Sequence, residues 1–457
     1  MTNSVENKGN TKIYRVRQQK PNQYCISTLC NRCVKLQACV PCQHQNTLYP
    51  RNNPDPMQRT PDDEKVPFGK RFLPIVARAN LAGLITALQS NHIDSVSPAP
   101  FVGHQGYPKV NVGLLSPPTL PDAPELLDAP REWAQRQYGI SQVVNIRTSL
   151  VNARQRMDIG AANPSPTLQT AQEIALAFRP PEVDIAIAKP HLSHSFSQFA
   201  APVGPTAEWK QADIGNTRLD QALEQAYYDT DLLASDAIAT LWHKGRDETQ
   251  IARAMSVGTL GKGDARKLVP TRWSITAVDD TLGKQLLNDV RVLEHQKEHL
   301  AFFGSHLGNH YLVLLLPGSF CYELYEISVS KAYGFGQYNT DFEPFEGRKS
   351  YAQNTVGGYY AARLSILEQL KAMNHQAGVL CLRFITDEYE APLGVWVVRE
   401  AARNAMQAAP LRFTERKLLF NYAQAVAQRK FSFDVSNILK DCLLLRQSTQ
   451  AKLSQFA

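Results

Sequence analysis

Tyr311-Leu-Val-Leu-Leu-Leu-Pro-Gly-Ser-Phe-Cys-Tyr-Glu-Leu-Tyr-Glu-Ile-Ser-Val329 reads as two strands, Tyr311–Leu316 and Tyr322–Val329, joined by Pro317-Gly318-Ser319. The first strand lies in the longest apolar run of the chain, Tyr311 to Pro317, about a third of what a bilayer span needs. It is therefore a core strand and not a membrane helix. Downstream, Val356–Met373 has helical spacing, Gly378–Ile385 reads as a buried strand, and Val395–Ala408 returns to helix. Helices are expected again over Thr414–Gln428 and Asp434–Gln447. Upstream, Leu73–Leu88, Leu219–Lys244 and Thr281–Phe303 carry helical periodicity, while residues 98–130 are rich in Pro and Gly with β-like runs such as Lys109-Val-Asn-Val112. The expectation is an α+β fold, a mixed α/β body, preceded by a small N-terminal cysteine-rich metal-binding module.

Composition agrees with a globular body: 43% hydrophobic and 20% charged residues over 457 positions exclude disorder overall. The first ten residues are polar and lack the apolar stretch of a secretory signal, so a cytoplasmic protein without a membrane partner is expected. The net charge of +7 is concentrated. Residues 1–54 hold eight Lys/Arg against Glu6 alone, which equals the excess of the whole chain, so the rest is balanced. A basic arm on a neutral body suits a polyanion such as DNA, because Lys and Arg at phosphates release condensed counterions. The same charge also fits a solvated tail.

Within that arm, Cys30-Asn-Arg-Cys33 and Cys39-Val-Pro-Cys42 form two C-x2-C knuckles separated by five residues. Two knuckles supply the four thiolates of a closed, tetrahedral, structural zinc site. The short spacer, with Cys25 separated from Cys30 by four residues, also echoes the opening of an iron–sulfur protein, which is the less favoured assignment. A metal would let a short polar segment fold without its own core. Cys321, Cys381 and Cys442 sit singly in apolar surroundings and read as buried thiols.

Three groups of residues in the body and tail carry candidate chemistry. The first is basic. Lys109 and Asn111 follow the Gly103/Gly106 loop, and Lys262, Arg266, Lys267 and Arg272 surround Gly258, Gly261 and Gly263, with Trp273 adjacent. Glycines let a backbone approach phosphate, cations neutralise it, and an indole can stack on a base. A Gly/Pro turn at a sheet edge and a core tryptophan are the competing readings. The second group is acidic: Asp229, Asp231, Asp279, Asp280, Asp341 and Glu343 occur in short pairs, as a nuclease working with Mg²⁺ or Mn²⁺ would require if they converged. Asp279-Asp280 before Thr281 is equally a helix N-terminal signature, and Asp229-Thr-Asp231 can cap the helix after it. The third is the terminus, where Gln450, Leu453 and Phe456 match Gln-x-x-aliphatic-x-x-aromatic. One turn of tight helix sets that Leu and Phe side by side as a plug for an apolar pocket. His295 and His299, four apart on an expected charged helix, read as a solvated face.

Several segments together resemble the archaeal DNA-repair family called Nre. They are Phe101-Val-Gly-His-Gln-Gly-Tyr-Pro-Lys-Val-Asn-Val-Gly113, Asp229-Thr-Asp231, Lys267-Leu-Val-Pro-Thr-Arg-Trp-Ser-Ile-Thr-Ala-Val-Asp-Asp-Thr-Leu-Gly-Lys284, Asp341-Phe-Glu-Pro, Arg348, Gly357-Gly-Tyr-Tyr-Ala-Ala-Arg363 and Val395-Trp-Val-Val-Arg-Glu-Ala-Ala-Arg-Asn404. The resemblance implies a nucleoid-associated role in DNA-damage repair. It implies a family N-terminal domain over 72–300 and a C-terminal domain over 301–440, after the arm 1–54 and a linker 55–71, with a tail from 441 to 457. It further implies a sliding clamp as partner, bound through that tail. Ala457 stands where the archaeal and eukaryotic clamp peptides carry a second aromatic, so a PCNA-type clamp and a bacterial clamp both remain open. The resemblance assigns no catalytic residue. A DNA-binding repair factor, a DNA-processing nuclease and a non-catalytic adaptor are the readings carried forward.

Overall fold

The computed structural model describes residues 91–188, 204–331 and 334–448. The cysteine-rich arm, the helix expected at Leu73–Leu88 and the clamp-type peptide lie outside the described residues. The body is mixed α and β, as expected. Its strands are β1 (His92–Val96), β2 (Ala99–Val102), β3 (Lys109–Ser116), β4 (Val151–Asp158), β5 (Glu182–Ile187), β6 (Thr206–Ile214), β7 (Glu294–His295), β8 (His299–His306), β9 (Asn309–Leu316), β10 (Cys321–Ser328), β11 (Tyr338–Glu343), β12 (His375–Gln376), β13 (Gly378–Ile385) and β14 (Leu411–Phe413). Its helices are α1 (Pro130–Gln135), α2 (Ile140–Ser149), α3 (Pro166–Leu176), α4 (Gln221–Tyr228), α5 (Ala234–His243), α6 (Glu248–Ser256), α7 (Thr271–Val290), α8 (Val356–Ala372), α9 (Val395–Gln407), α10 (Arg416–Phe431), α11 (Ser436–Asp441) and α12 (Leu443–Ser448).

Two six-stranded sheets organise these elements. The second has the order β11-β10-β13-β9-β8-β14. Along β9, Tyr311, Val313 and Leu315 pack into one apolar cluster with α7, α8 and α9, while Leu312, Leu314 and Leu316 pack into another with α10, α11 and α12. A strand covered on both faces needs apolar side chains at every position, which is why Tyr311–Pro317 is continuous and not alternating. The two strands joined by Pro317-Gly318-Ser319 are not neighbours. β13 lies between them, antiparallel to β9 and parallel to β10, with α8 in the connection that returns the chain to the middle of the sheet.

The first sheet has the order β1-β5-β6-β4-β3-β2. Here one face meets the core and β5 alternates: Val183, Ile185 and Ile187 are buried, while Glu182 and Asp184 are exposed, and in β1 Ile93 is buried between exposed His92 and Asp94. That alternation is the mark of a sheet with one wet face. Asp220 and Asp247 cap α4 and α6, accepting backbone N–H groups two to three residues on.

Three expectations change. The helix expected over Thr281–Phe303 begins earlier, at Thr271, and stops at Val290; β7 and β8 follow, so His295 and His299 are strand residues. Leu300 and Phe302 face the α7–α9 cluster and Ala301 the opposite one, so period two replaces the period of a helix. Asp279 and Asp280 are accordingly mid-helix and buried, not at an N-terminus. The helical stretch Leu219–Lys244 is broken at Asp229-Thr-Asp231, where Asp229 Oδ1 accepts the N–H groups of Asp231 (3.2 Å) and Leu232 (3.1 Å). This is an Asx turn between α4 and α5, and the residue before α5 is Leu233, with no side-chain cap.

Candidate nucleic-acid interface

The basic motifs, far apart in sequence, meet around the loop that precedes β3. Gly106 adopts φ +79°, and a Cβ there would lie 2.7 Å from an Arg156 guanidinium nitrogen. The loop thus lies directly against Arg156, a contact and a conformation that favour glycine. In the ladder, Lys109 pairs with Asp158 and Asn111 with Arg156. The strand then continues the contact: the Ile159 N–H donates to Pro108 O (3.1 Å), the Leu268 N–H donates to Ile159 O (2.7 Å), and Gly160 bridges Lys267. On the other side of the loop, the Val102 N–H donates to Thr271 Oγ1 (2.9 Å), and the Tyr107 and Trp273 rings approach to 5.4 Å at a 52° tilt. Burial holds His104 below the ordinary imidazole range, and the positive charge of Arg272 lowers it further.

Lys109, Arg156, Lys267 and Arg272 are therefore neighbours on one surface, and all four are exposed. Lys262 is exposed on the turn before α7, and Arg154 is exposed on β4, in register with Glu208. Among the described residues, none of these six cations forms an ion pair. Arg154 and Arg156 were not among the basic residues singled out from sequence. The signal available for them was the alternation in Val151-Asn-Ala-Arg-Gln-Arg-Met-Asp158, whose even positions include both arginines.

Arg266 behaves differently from its expected role at DNA. It is buried; its Nε donates to Gly261 O (2.8 Å) and its terminal nitrogen to Tyr227 O (2.7 Å) and Asp229 O (3.2 Å). Its guanidinium also lies over the Tyr227 ring. It ties the Asp229-Thr-Asp231 turn to the glycine loop from inside, so its charge is not presented to solvent. Asn111 is half-buried on β3, and Trp273 is half-buried at the first turn of α7.

The acidic candidates are held by arginines. Asp279 is buried and paired with Arg399 (2.5 Å). Its burial raises the carboxyl to about 6 despite that partner. Glu248, beside Arg403 and Arg399, goes the other way, down to about 2, because its two cations outweigh desolvation. Asp280 pairs with Arg363 (2.7 Å) and Lys284 (2.6 Å), and Glu343 accepts from Arg363 (3.0 Å) and the Tyr359 hydroxyl (2.5 Å). Asp341 pairs with Arg348 (3.1 Å), while its second oxygen accepts the Asn354 and Thr355 N–H groups and the Thr355 hydroxyl. Asp229 is engaged in its turn, and Asp231 is exposed beside it. Among the described residues, no three His, Cys, Asp or Glu side chains are arranged to hold a metal ion. The paired acids knit α6, α7, α8, α9 and β11 together.

The chain matches the model described as archaeal Nre, N-terminal, over residues 68–333, and that described as archaeal Nre, C-terminal, over 343–456. It is 36% identical over 327 residues to DNA repair protein NreA of Haloferax volcanii, covering 68% of this chain and 77% of that protein. It is 33% identical over 374 residues to DNA repair protein NreA of Archaeoglobus fulgidus, covering 81% and 92%. DNA repair protein NreB of the same organism is 31% identical over 378 residues, with 81% and 93% covered. No solved structure matches the chain. No helix of the described residues is long and apolar enough to cross a membrane.

Proposed function

Because the chain belongs to the archaeal Nre family, we propose that it is a DNA-repair protein that engages DNA through the basic surface around Tyr107 and Trp273. The observation that carries this reading is a contrast between two sets of cations. Arginines inside the body (Arg363, Arg383, Arg399 and Arg403) are each paired with a carboxylate, whereas among the described residues Lys109, Arg154, Arg156, Lys262, Lys267 and Arg272 are exposed without an ion pair, and Lys109, Arg156, Lys267 and Arg272 gather around the loop before β3. Unpaired cations gathered on one face repel one another unless a polyanion is bound there. The basic arm, residues 1–54, would add to the same attraction. A nuclease reading has less support, since Asp279, Asp280, Asp341 and Glu343 are neutralised by arginines.

The test is the salt dependence of DNA affinity, read by fluorescence anisotropy on the full chain. Each phosphate contact contributes about 0.9 to the log–log slope on duplex and about 0.7 on single strands. Combining Lys109→Ala, Arg156→Ala, Lys267→Ala and Arg272→Ala should lower the slope by about 3 to 4 and weaken binding on every sequence alike. An unaltered slope in that variant would take the interface away from this surface.

Two further parts of the proposal rest on sequence alone. Cys30, Cys33, Cys39 and Cys42 would hold one zinc ion that orders the arm. Elemental analysis of protein purified without chelators should find about one zinc per chain. Iron with visible absorption would replace zinc by a cluster, and neither metal would remove the site. Gln450, Leu453 and Phe456 would deliver the protein to DNA by docking into a sliding clamp, PCNA-type or bacterial.

A further inference from the structure

We infer that the surface around Tyr107 and Trp273 takes single-stranded or locally unpaired DNA in preference to intact duplex, with an unstacked base lying against Trp273. This rests on the reading of that surface as a DNA interface and names the form of DNA it accepts.

The first argument is the state of the indole. Trp133 and Trp396 are core residues, each donating its ring N–H to a backbone carbonyl, Leu126 O at 2.6 Å and Leu393 O at 2.8 Å. Trp273 is half-buried, and among the described residues its ring N–H has no acceptor; Trp242 is in the same state, but Trp273 stands against Tyr107 on the loop before Lys109. A half-buried indole whose N–H is not engaged among the described residues is suited to stack on a base and bond to it. The second argument is placement. Arg156 lies against Gly106, one residue before Tyr107, and Lys109 follows two residues after Tyr107. Lys267 bridges Gly160, whose neighbour Ile159 bonds Pro108, and Arg272 adjoins Trp273 and acts on His104. Cations flanking an aromatic are the pattern that tracks a flexible backbone while a base stacks between successive phosphates.

The third argument concerns what is missing for duplex readout. Reading B-DNA in the major groove requires a helix or a two-stranded ribbon that projects into it. Trp273 and Arg272 belong to the first turn of α7, but from Ser274 onward that helix is packed against α5, α6 and α8. The body of that helix is therefore not free to lie in a groove. Trp273 is half-buried against Tyr107, so a base must come to the indole, and a base offers its face only when it is unstacked.

The experiment compares a labelled oligo-dT with a blunt duplex of equal phosphate number at one salt concentration, using the full chain, Trp273→Ala and Trp273→Phe. The wild type should bind the single strand at least about tenfold more tightly than the duplex. Trp273→Ala should lose about five- to hundredfold on the single strand, as stacking residues do, and several-fold less on the duplex. Trp273→Phe, which keeps a ring, should restore most of that loss, and it serves as the informative variant if the alanine protein does not fold. Equal losses on both DNA forms, or no preference for the single strand in the wild type, would overturn the inference. Those outcomes leave the DNA-interface reading intact provided the four-cation variant still loses its salt slope; if that variant binds like wild type, the reading itself fails.

Discussion

Arg363→Met should destabilise the protein by about 3–5 kcal/mol, the cost of leaving a buried ion pair without one partner. Arg363 is 1% exposed and sits on α8 between two carboxylates from distant segments, Asp280 on α7 and Glu343 on β11. It also lies over the Tyr359 and Tyr360 rings. Burial alone would lower its pKa, but the two carboxylates and Tyr359 raise it above the ordinary guanidinium value. Methionine fills much of the volume, so the loss isolates the charge. Among the described residues Glu343 would keep only the Tyr359 hydroxyl, and Asp280 only Lys284, whose side chain is largely exposed. Urea unfolding should show a lower midpoint with an unchanged slope. Adding Glu343→Gln to Arg363→Met should recover part of the stability, because removing both charges costs less than stranding one. A single variant as stable as wild type would show that the pair contributes nothing to holding α7, α8 and β11 together.

The second large effect is expected at the tail. Leu453→Ala with Phe456→Ala should weaken clamp binding roughly a thousandfold, since anchors of this kind contribute about 2 kcal/mol each and each 1.4 kcal/mol is a factor of ten. The body should not register the change. The chain reaches the tail through α12, whose Leu443 and Leu444 N–H groups donate to Glu323 of β10 at 3.2 and 2.9 Å. Leu444 and Leu445 are packed in the apolar layer beneath α10 and α11. Both substitutions fall after that anchored turn. Pull-down with a PCNA-type clamp and with a bacterial clamp, run in parallel, reads the effect and also distinguishes the two partners. Thermal unfolding and DNA affinity should match wild type. Clamp capture that persists in the double variant would remove the peptide from the proposal.

Much of the local structure is legible in the chain alone. Val356–Met373, Gly378–Ile385 and Val395–Ala408 fall within a residue or so of α8, β13 and α9, because their burial pattern is set by neighbours in the same element. The mixed α and β character follows from the same periodicities. Residues 291–303 read as helix in the sequence but hold β7 and β8, because the charged run Arg291–Glu298 suits a solvated helix and Leu-Ala-Phe-Phe after it is compatible with either period. Only the sheet that receives β8 decides between them. The insertion of β13 between β9 and β10 is invisible in the linear text for a related reason: a Pro-Gly-Ser turn fixes a chain reversal, not which strand pairs with which. The chemistry divides along the same line. Residue types alone identified Lys109, Lys267, Arg272 and the acidic pairs as charged groups in suggestive places. Their opposite fates are tertiary facts. Asp280 meets Arg363 across 83 positions and Arg399 meets Asp279 across 120, whereas among the described residues Lys109, although opposite Asp158 in the ladder, and Arg156 form no ion pair. A charge's role depends on whether folding brings a counter-charge into its low-dielectric surroundings, and no local spacing encodes that distance.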